Sequence, residues 1–177
     1  MRRARAFTLI ELLVVVAVVA ILLALVGPSM GDLLATQRVR NINAQLITDL
    51  QFARSEAARR NVSVLVWFRS NTTLTCYTMT MPLGEGNCDC RLGEGASCTG
   101  FEEIRTVSVP TSTTVRLTPN YEALQFDRAS GRVIGAAFQA DVVSSRHGKL
   151  RTTVNAAGRP TVCSPDGSIR DVPQCPS

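Results

Sequence analysis

The arrangement of apolar and polar residues divides the chain into three parts. From Phe7 to Gly27 the sequence is almost entirely apolar and contains one charged residue, Glu11. This stretch is about as long as the roughly 20 residues that a helix needs to cross a bilayer. It therefore predicts a transmembrane helix at 7–27, in which the carboxylate of Glu11 costs about 3 kcal/mol unless a partner compensates it.

Residues 28–60 predict a continuation of the same helix in an amphipathic form. Apolar residues recur every three or four positions and so form one stripe along the helix: Val39, Ile42, Leu46, Leu50, Ala53 and Ala57. The polar residues predicted for the opposite face are Arg38, Arg40, Asp49, Arg54, Glu56 and Arg59. A helix of this kind packs its apolar stripe against a folded domain.

Two short segments mark the middle and the end of this helix. Gly27 and Pro28 should bend or locally unwind it, because Pro28 lacks an amide hydrogen and its ring crowds the preceding turn. Arg59 and Arg60 suit the negative end of the helix dipole, and Asn61 suits the left-handed conformation that often follows a helix. We therefore expect the helix to end at Arg60.

Residues 61–177 predict a head domain built from β-strands. Segments rich in β-branched and aromatic residues alternate with polar turns, and they lie at 62–69, 73–80, 104–109, 113–117, 123–126, 132–134, 149–154 and 160–163. Short connections favour antiparallel pairing, whereas the Gly- and Cys-rich stretch 82–100 predicts a loop. The fold class is thus α+β, with a long N-terminal helix, transmembrane and then amphipathic, packed against an antiparallel β-sheet head.

All six cysteines lie in the predicted head. An even number of cysteines in an exported domain indicates disulfides. Cys163 and Cys175 flank a turn sequence and are predicted to pair, which leaves two bridges of undetermined pairing among the other four: Cys76, Cys88, Cys90 and Cys98. A zinc site is the alternative, but the usual pairs of closely spaced ligands are absent, so we predict no metal and no other cofactor.

The net charge of +5 overstates how basic the head is. Three of the positive charges, Arg2, Arg3 and Arg5, precede the apolar stretch, and the remainder of the chain carries +2. Five cations gather near the C-terminus with only two acidic residues, Asp166 and Asp171, among them: Arg146, Lys149, Arg151, Arg159 and Arg170. A cluster of this kind can contact the phosphates of double-stranded DNA without reading its sequence.

Catalytic motifs are weak throughout the sequence. His147 is the single histidine, and no nucleophile elbow or pair of carboxylates accompanies it. The glycine-rich segments at 84–87 and 93–95 lack the helix and the lysine that a phosphate-binding loop needs. We therefore predict no catalytic residues and no enzymatic activity.

The start of the apolar stretch carries a specific motif. It reads Ala6-Phe7-Thr8-Leu9-Ile10-Glu11-Leu12-Leu13-Val14, and it resembles the class III signal of type IV pilins and of the pseudopilins of type II secretion. The resemblance implies that a prepilin peptidase cuts between Ala6 and Phe7, which removes residues 1–6 as a leader, and that the new amino terminus on Phe7 is methylated. The family usually has glycine where this chain has Ala6. Phe7 and Glu11 lie one helical turn apart, so the α-ammonium of one subunit can pair with Glu11 of its neighbour.

Two further segments resemble the GspH/FimT family in particular. One is the helix at 46–60 followed at once by the strand at 62–68. The other is 126–132, which is close to that family's Phe-x-x-x-Gly strand and turn but has one residue more between Phe126 and Gly131. The resemblance implies the pilin fold, in which two small antiparallel sheets pack against the C-terminal half of the helix. FimT-type minor pilins that bind DNA carry a Gly-Arg-x-Arg motif, which Gly158 and Arg159 match and Thr161 does not.

The resemblance implies a structural function, that of a minor type IV pilin which enters or primes a pilus filament through its N-terminal helix. The implied partners are other pilins or pseudopilins, the prepilin peptidase and the inner membrane. The chain would cross that membrane once, with its head in the periplasm, before it joins a filament at the cell surface. Two alternatives stay open, namely a GspH-like pseudopilin of a type II secretion system and a minor pilin that binds double-stranded DNA in natural transformation.

Overall fold

The computed structural model describes residues 8–92, 95–146 and 148–176, except for the side chains of 24–29. The chain divides between Leu34 and Ala35 into two compact units. The described part of the first unit is helical, and the second contains the rest of that helix together with every strand. We refer to the second unit, residues 35–177, as the head.

Helix α1 spans Leu9–Arg60. Within the head its predicted apolar stripe faces the core: five of the six stripe residues are fully buried, and Ile42 is partly buried. Asn61 follows the helix with a φ of 53°, the left-handed conformation. The backbone stays helical through Gly27 and Pro28, so the helix does not unwind there, and the bend at these residues stays a prediction.

Two acidic residues assigned to the polar face of α1 are buried instead. Asp49 is 1% exposed and Glu56 is 5% exposed. Glu56 accepts hydrogen bonds from Arg59 at 2.8 and 2.9 Å and from Arg60 at 2.6 Å. These bonds, those from Arg59 first, lower the pKa of Glu56 to about 2. The predicted helix face was wrong for both residues because the periodicity of a helix does not reveal which carboxylates will find donors.

Nine strands follow the helix in the described residues. They are β1 (Val64–Ser70), β2 (Leu74–Asp89), β3 (Ser97–Pro110), β4 (Val115–Pro119), β5 (Ala123–Phe126), β6 (Val133–Ile134), β7 (Phe138–Ser144), β8 (Lys149–Val154) and β9 (Pro160–Cys163). They form a five-stranded sheet in the order β3-β2-β1-β5-β6 and a four-stranded sheet in the order β4-β7-β8-β9. All pairings are antiparallel, which confirms the α+β class.

Two parts of the strand prediction were wrong. Strand β7 was not predicted, although it lies between β4 and β8 in the smaller sheet. The predicted loop at 82–100 is largely strand, because β2 continues to Asp89 and β3 begins at Ser97. In both places pairing with a neighbouring strand decides the conformation, and that pairing is weakly encoded in local propensity.

Two disulfides hold the long β2–β3 hairpin. Cys88 and Cys98 face each other across the hairpin and are bonded. Cys90, just beyond the end of β2, is bonded to Cys76 near its beginning. The second bond brings the distal part of the hairpin back to the strand from which it starts, and an irregularity in the pairing of β2 with β3 accommodates the change of direction.

The third disulfide joins Cys163, at the end of β9, to Cys175. It is the pair expected from the turn sequence between the two cysteines. No free cysteine remains in the described residues, so no thiolate is left there for the alternative zinc site.

Buried polar contacts join α1 to both sheets. Thr152 of β8 donates a hydrogen bond to Oδ1 of Asn43 at 2.7 Å. On the larger sheet, the Tyr77 hydroxyl of β2 donates to Oδ2 of Asp49 at 2.7 Å, and Arg105 of β3 donates to Oδ1 at 2.8 Å. The apolar core surrounds these contacts, so the helix is fixed in its position against the two sheets.

Replacing Asp49 with alanine is expected to lower the free energy of unfolding of the head by about 2 kcal/mol. The Tyr77 hydroxyl would be buried without an acceptor and Arg105 would lose its partner. Urea-induced unfolding measures the loss, and Thr48→Ala, an exposed neighbour on the same helix, serves as the control with a loss below about 0.5 kcal/mol. Equal losses in the two variants would contradict the role given to Asp49.

The stability of the head should decrease at alkaline pH because of Tyr77. Burial first, and then the hydrogen bond to Asp49, raise the pKa of Tyr77 above its ordinary value of 10.0. Because the folded state keeps this proton when the unfolded state has lost it, the contribution to stability is complete below pH 10 and declines as the pH rises further.

Denaturant unfolding at neutral pH and above pH 10 tests this linkage. Tyr77→Phe should reduce the loss of stability at alkaline pH, whereas Tyr121→Phe, which replaces the exposed tyrosine, should leave it unchanged. An unchanged pH dependence in Tyr77→Phe would show that the linkage is absent.

Candidate functional site

The N-terminal motif lies at the edge of the described residues. Ala6 and Phe7 fall outside them, so the cleavage site, the methylation and the pairing of Phe7 with Glu11 stay predictions. Thr8 caps α1, because its side-chain oxygen accepts a hydrogen bond from the amide of Glu11 at 3.3 Å. The Glu11 side chain is exposed and has no partner among the described residues, so its carboxylate is accessible to a group from another molecule.

An apolar surface surrounds the first turns of α1. The large apolar side chains between Leu9 and Leu23 are 47% to 81% exposed, and they occupy consecutive positions on every side of the helix. A helix that is apolar all round needs an apolar environment. Within the described residues, no helix has the length and the apolar character that crossing a membrane requires.

The predicted cations divide into a paired and an unpaired set. Lys149 and Arg151, both on β8, flank Asp141 of β7 with nitrogen–oxygen distances of 3.0 and 2.7 Å. Burial opposes the ionisation of Asp141, but the hydrogen bonds from Arg151 and Lys149 outweigh it and lower the pKa of that carboxyl. The positive charge of this pair is therefore partly neutralised within the head.

The unpaired cations do not form a single cluster. Arg146, Arg159 and Arg170 are exposed, and their guanidinium groups have no partner in the described part of the chain. Arg146 lies in the turn before β8, and the amide of Lys149 donates to Ser168 at 3.1 Å, which places the segment of Arg170 at the same end of that strand. Arg159 lies in the turn after β8, at the other end of this six-residue strand, and is therefore roughly 20 Å from Arg146.

Packing explains the glycine of the incomplete Gly-Arg-x-Arg motif. Gly158 is buried with a φ of +74°, and a Cβ atom there would lie 2.2 Å from the carbonyl oxygen of Gly131. Arg54 of α1 donates a hydrogen bond to that same oxygen at 3.1 Å. Gly158 thus permits two turns to meet beneath α1, while the side chain of Arg159 points to solvent.

Arg116 of β4 is an exposed cation that the predicted set does not include. Arg116 pairs with Val143, which on its other side pairs with Lys149. Residues directly opposite each other project to the same face of a sheet, so Arg116 and Lys149 share the outer face of the smaller sheet. The alternation of Val115, Arg116 and Leu117 in a predicted strand was the available signal.

Comparison with known proteins is consistent with this geometry. Residues 1–27 match the prokaryotic N-terminal methylation motif, and residues 43–158 match the type II transport protein GspH family. No curated protein sequence matches the chain at a significant level.

Two solved structures of the type IV minor pilin FimU from Pseudomonas aeruginosa are similar in fold. The P21 crystal form is 16% identical with a TM-score of 0.52, and the similarity covers 71% of this chain and 88% of FimU. The P65 form is 18% identical with a TM-score of 0.49 over 70% of this chain and 90% of FimU. At this level of identity the first comparison shows the fold alone. Because the match at 43–158 extends over more than half of the sequence, this chain belongs to the GspH family, and its fold is that of a type IV minor pilin.

Proposed function

We propose that this protein is a minor type IV pilin, a structural subunit that joins a filament through the N-terminal part of α1. The observation that carries the proposal is the apolar surface around Leu9–Leu23 with Glu11 as its only charged residue. Such a surface requires lipid first and the helices of other subunits afterwards. No catalytic role is proposed for any residue.

The proposed pathway begins in the inner membrane. Residues 7–27 would anchor the chain there as a single span, with the head in the periplasm, and residues 1–6 would be the leader. The match to the N-terminal methylation motif over residues 1–27 supports processing by the prepilin peptidase between Ala6 and Phe7. Methylation of Phe7 leaves a cationic amino terminus one turn from Glu11.

Glu11 gives assembly its selectivity in this proposal. An unpaired carboxylate in an apolar medium costs about 3 kcal/mol, and the amino terminus of a neighbouring Phe7 would offset that cost. The pairing would fix the axial position of one subunit against the next. The bend at Gly27 and Pro28 would separate this filament-core segment from the part of α1 that packs in the head.

A pseudopilin of a type II secretion system is the alternative. It would use the same helix, the same charge pair and the same processing, but it would join a different filament. The name of the matching family points toward secretion, whereas the arrangement of Gly158 and Arg159 and the cysteine-rich head lead us to favour the pilus. Cysteine crosslinking to the subunits of each filament would discriminate between the two.

Replacing Glu11 with glutamine should leave the protein inserted in the membrane but reduce its incorporation into filaments by roughly tenfold or more. Glutamine keeps the size of the side chain and can still act near the helix N-terminus, so the variant removes mainly the charge. Immunoblotting of sheared filaments against the membrane fraction measures incorporation.

Thr8→Ala is the matched control for this experiment. It removes the hydrogen bond that caps α1 and leaves the charge of Glu11 in place, so incorporation should stay near normal. Normal incorporation of Glu11→Gln, or an equal defect in both variants, would count against a role for the charge.

A DNA-binding minor pilin is the second alternative. Arg146, Arg159 and Arg170 are exposed and unpartnered in the described residues, so each can contact a phosphate. Lys149 and Arg151 contribute less, because Asp141 already holds both.

If DNA uptake is the function, the oxidised head should bind labelled double-stranded DNA in a strongly salt-dependent manner. Arg159→Ala and Arg146→Ala would each weaken binding and reduce the salt dependence by about one charge. Arg40→Ala is the control, since Arg40 is engaged with Asp171 at 2.7 Å. Absence of binding at low salt would remove this alternative and leave the structural subunit.

A further inference from the structure

A cavity of about 350 Å³ is lined by residues from both sheets of the head. It is bordered by the end of β1, the beginning of β2, strand β4 and the segment that follows β4. Three arginines line it, Arg69, Arg91 and Arg116. We call it the arginine cavity; its volume is at the low end for sites that hold small ligands or single side chains.

Two of the three arginines are held by acidic residues of the head. Arg69 lies 5.3 Å from the centre of the Trp67 ring and is paired with Glu122 at 2.7 Å. Arg91 forms a two-pronged ion pair with Asp89, with its shortest distance at 2.6 Å. In each ion pair the carboxylate neutralises the charge of the arginine and fixes the plane of its guanidinium group.

The Cys76–Cys90 disulfide positions Arg91 at the cavity. Arg91 follows Cys90 directly, and Cys76 itself lines the cavity wall. The amide of Leu117 donates a hydrogen bond to the hydroxyl of Thr75 at 3.2 Å and joins β4 to β2 beside the cavity. The cavity is therefore bordered mainly by strands and by a disulfide.

Of the three arginines that line the cavity, Arg116 is the one whose charge no acidic residue of the described part of the head compensates. It is exposed, and no acidic or carbonyl group of the described residues lies within hydrogen-bond distance of its guanidinium group. An arginine in this state offers two parallel donors to a planar anion, and a carboxylate fits them.

We propose that the arginine cavity receives an acidic side chain from a neighbouring subunit and that Arg116 binds its carboxylate. The inference rests on the proposed function, since it assumes that the head meets other subunits in a filament. Tyr121, half exposed at the same cavity, gives the incoming segment an aromatic surface.

The charges at the rim favour an acidic peptide over a nucleic acid. Glu122 is 85% exposed at the cavity, so its carboxylate faces any approaching molecule. It repels a continuous row of phosphates, whereas one carboxylate on a narrow peptide can pass it and reach Arg116. A duplex is also too wide to enter a concave site of this volume.

Binding of an acidic peptide by the full chain in detergent micelles tests the proposal. The probe is a fluorescein-labelled peptide with one acidic side chain and an amidated C-terminus, Gly-Ser-Gly-Glu-Gly-Ser-Gly, and the control probe has Gln in place of Glu. Fluorescence anisotropy should show saturable binding of the acidic probe and none of the amide probe. Arg116→Gln should weaken binding by about tenfold.

Arg146→Gln is the matched control variant, because Arg146 is also an exposed, unpartnered arginine of the head but does not line the cavity. It should bind the acidic probe as the unaltered protein does. Equal weakening in both variants, equal binding of both probes, or the absence of saturable binding would overturn the proposal, and so would displacement of the probe by a short DNA duplex at matched charge.

The outcome is independent of filament assembly. The peptide experiment uses isolated protein, whereas the Glu11→Gln experiment measures incorporation through α1. Loss of peptide binding together with a Glu11-dependent incorporation would reject the arginine cavity and leave the proposed function intact.

Discussion

A buried carboxylate is costly unless hydrogen-bond donors surround it, and the head contains such a carboxylate in Asp49. Its donors come from two adjacent strands, Tyr77 of β2 and Arg105 of β3, so the condition is met only when α1 lies at one position along the larger sheet. The Asn43–Thr152 contact sets a second such point on the smaller sheet. Apolar packing alone would tolerate small shifts of the helix, whereas these two contacts do not.

The same chain thus carries two surfaces of opposite character. In the head the stripe of α1 is covered by both sheets, while the side chains around Leu9–Leu23 are left uncovered by the described residues. The proposed function requires this combination, because the head must stay folded in water while residues 9–23 would move from lipid to the helices of other subunits. The disulfides Cys76–Cys90, Cys88–Cys98 and Cys163–Cys175 stabilise the head independently of that transfer.

The partners of the charged residues in the head, and not the number of charges, determine which of them can bind another molecule. Asp141 holds Lys149 and Arg151, which removes them from the C-terminal cluster that the sequence indicates. Arg116, which the cluster omits, is exposed and unpartnered within the described residues beside a formed cavity. A surface that contacts neighbouring subunits is built from unpartnered groups of this kind, because paired charges have little left to offer a second partner.

What the sequence by itself determined is local. The helical period of α1, the end of the helix at Arg60 and the closure of the Cys163–Cys175 loop each depend on residues that are at most 12 positions apart. Strand β7 escaped prediction because its alternation includes alanine and aspartate, which are poor strand formers, and because its two neighbours in the sheet define it. Because β7 was not predicted, its residue Asp141 was not recognised as the partner of Lys149 and Arg151. The burial of Asp49 was not predicted either, because its donors lie on strands that follow the helix in sequence. Only the tertiary structure decided these points, since the free energy of a buried charge depends on donors that the fold brings from distant parts of the chain.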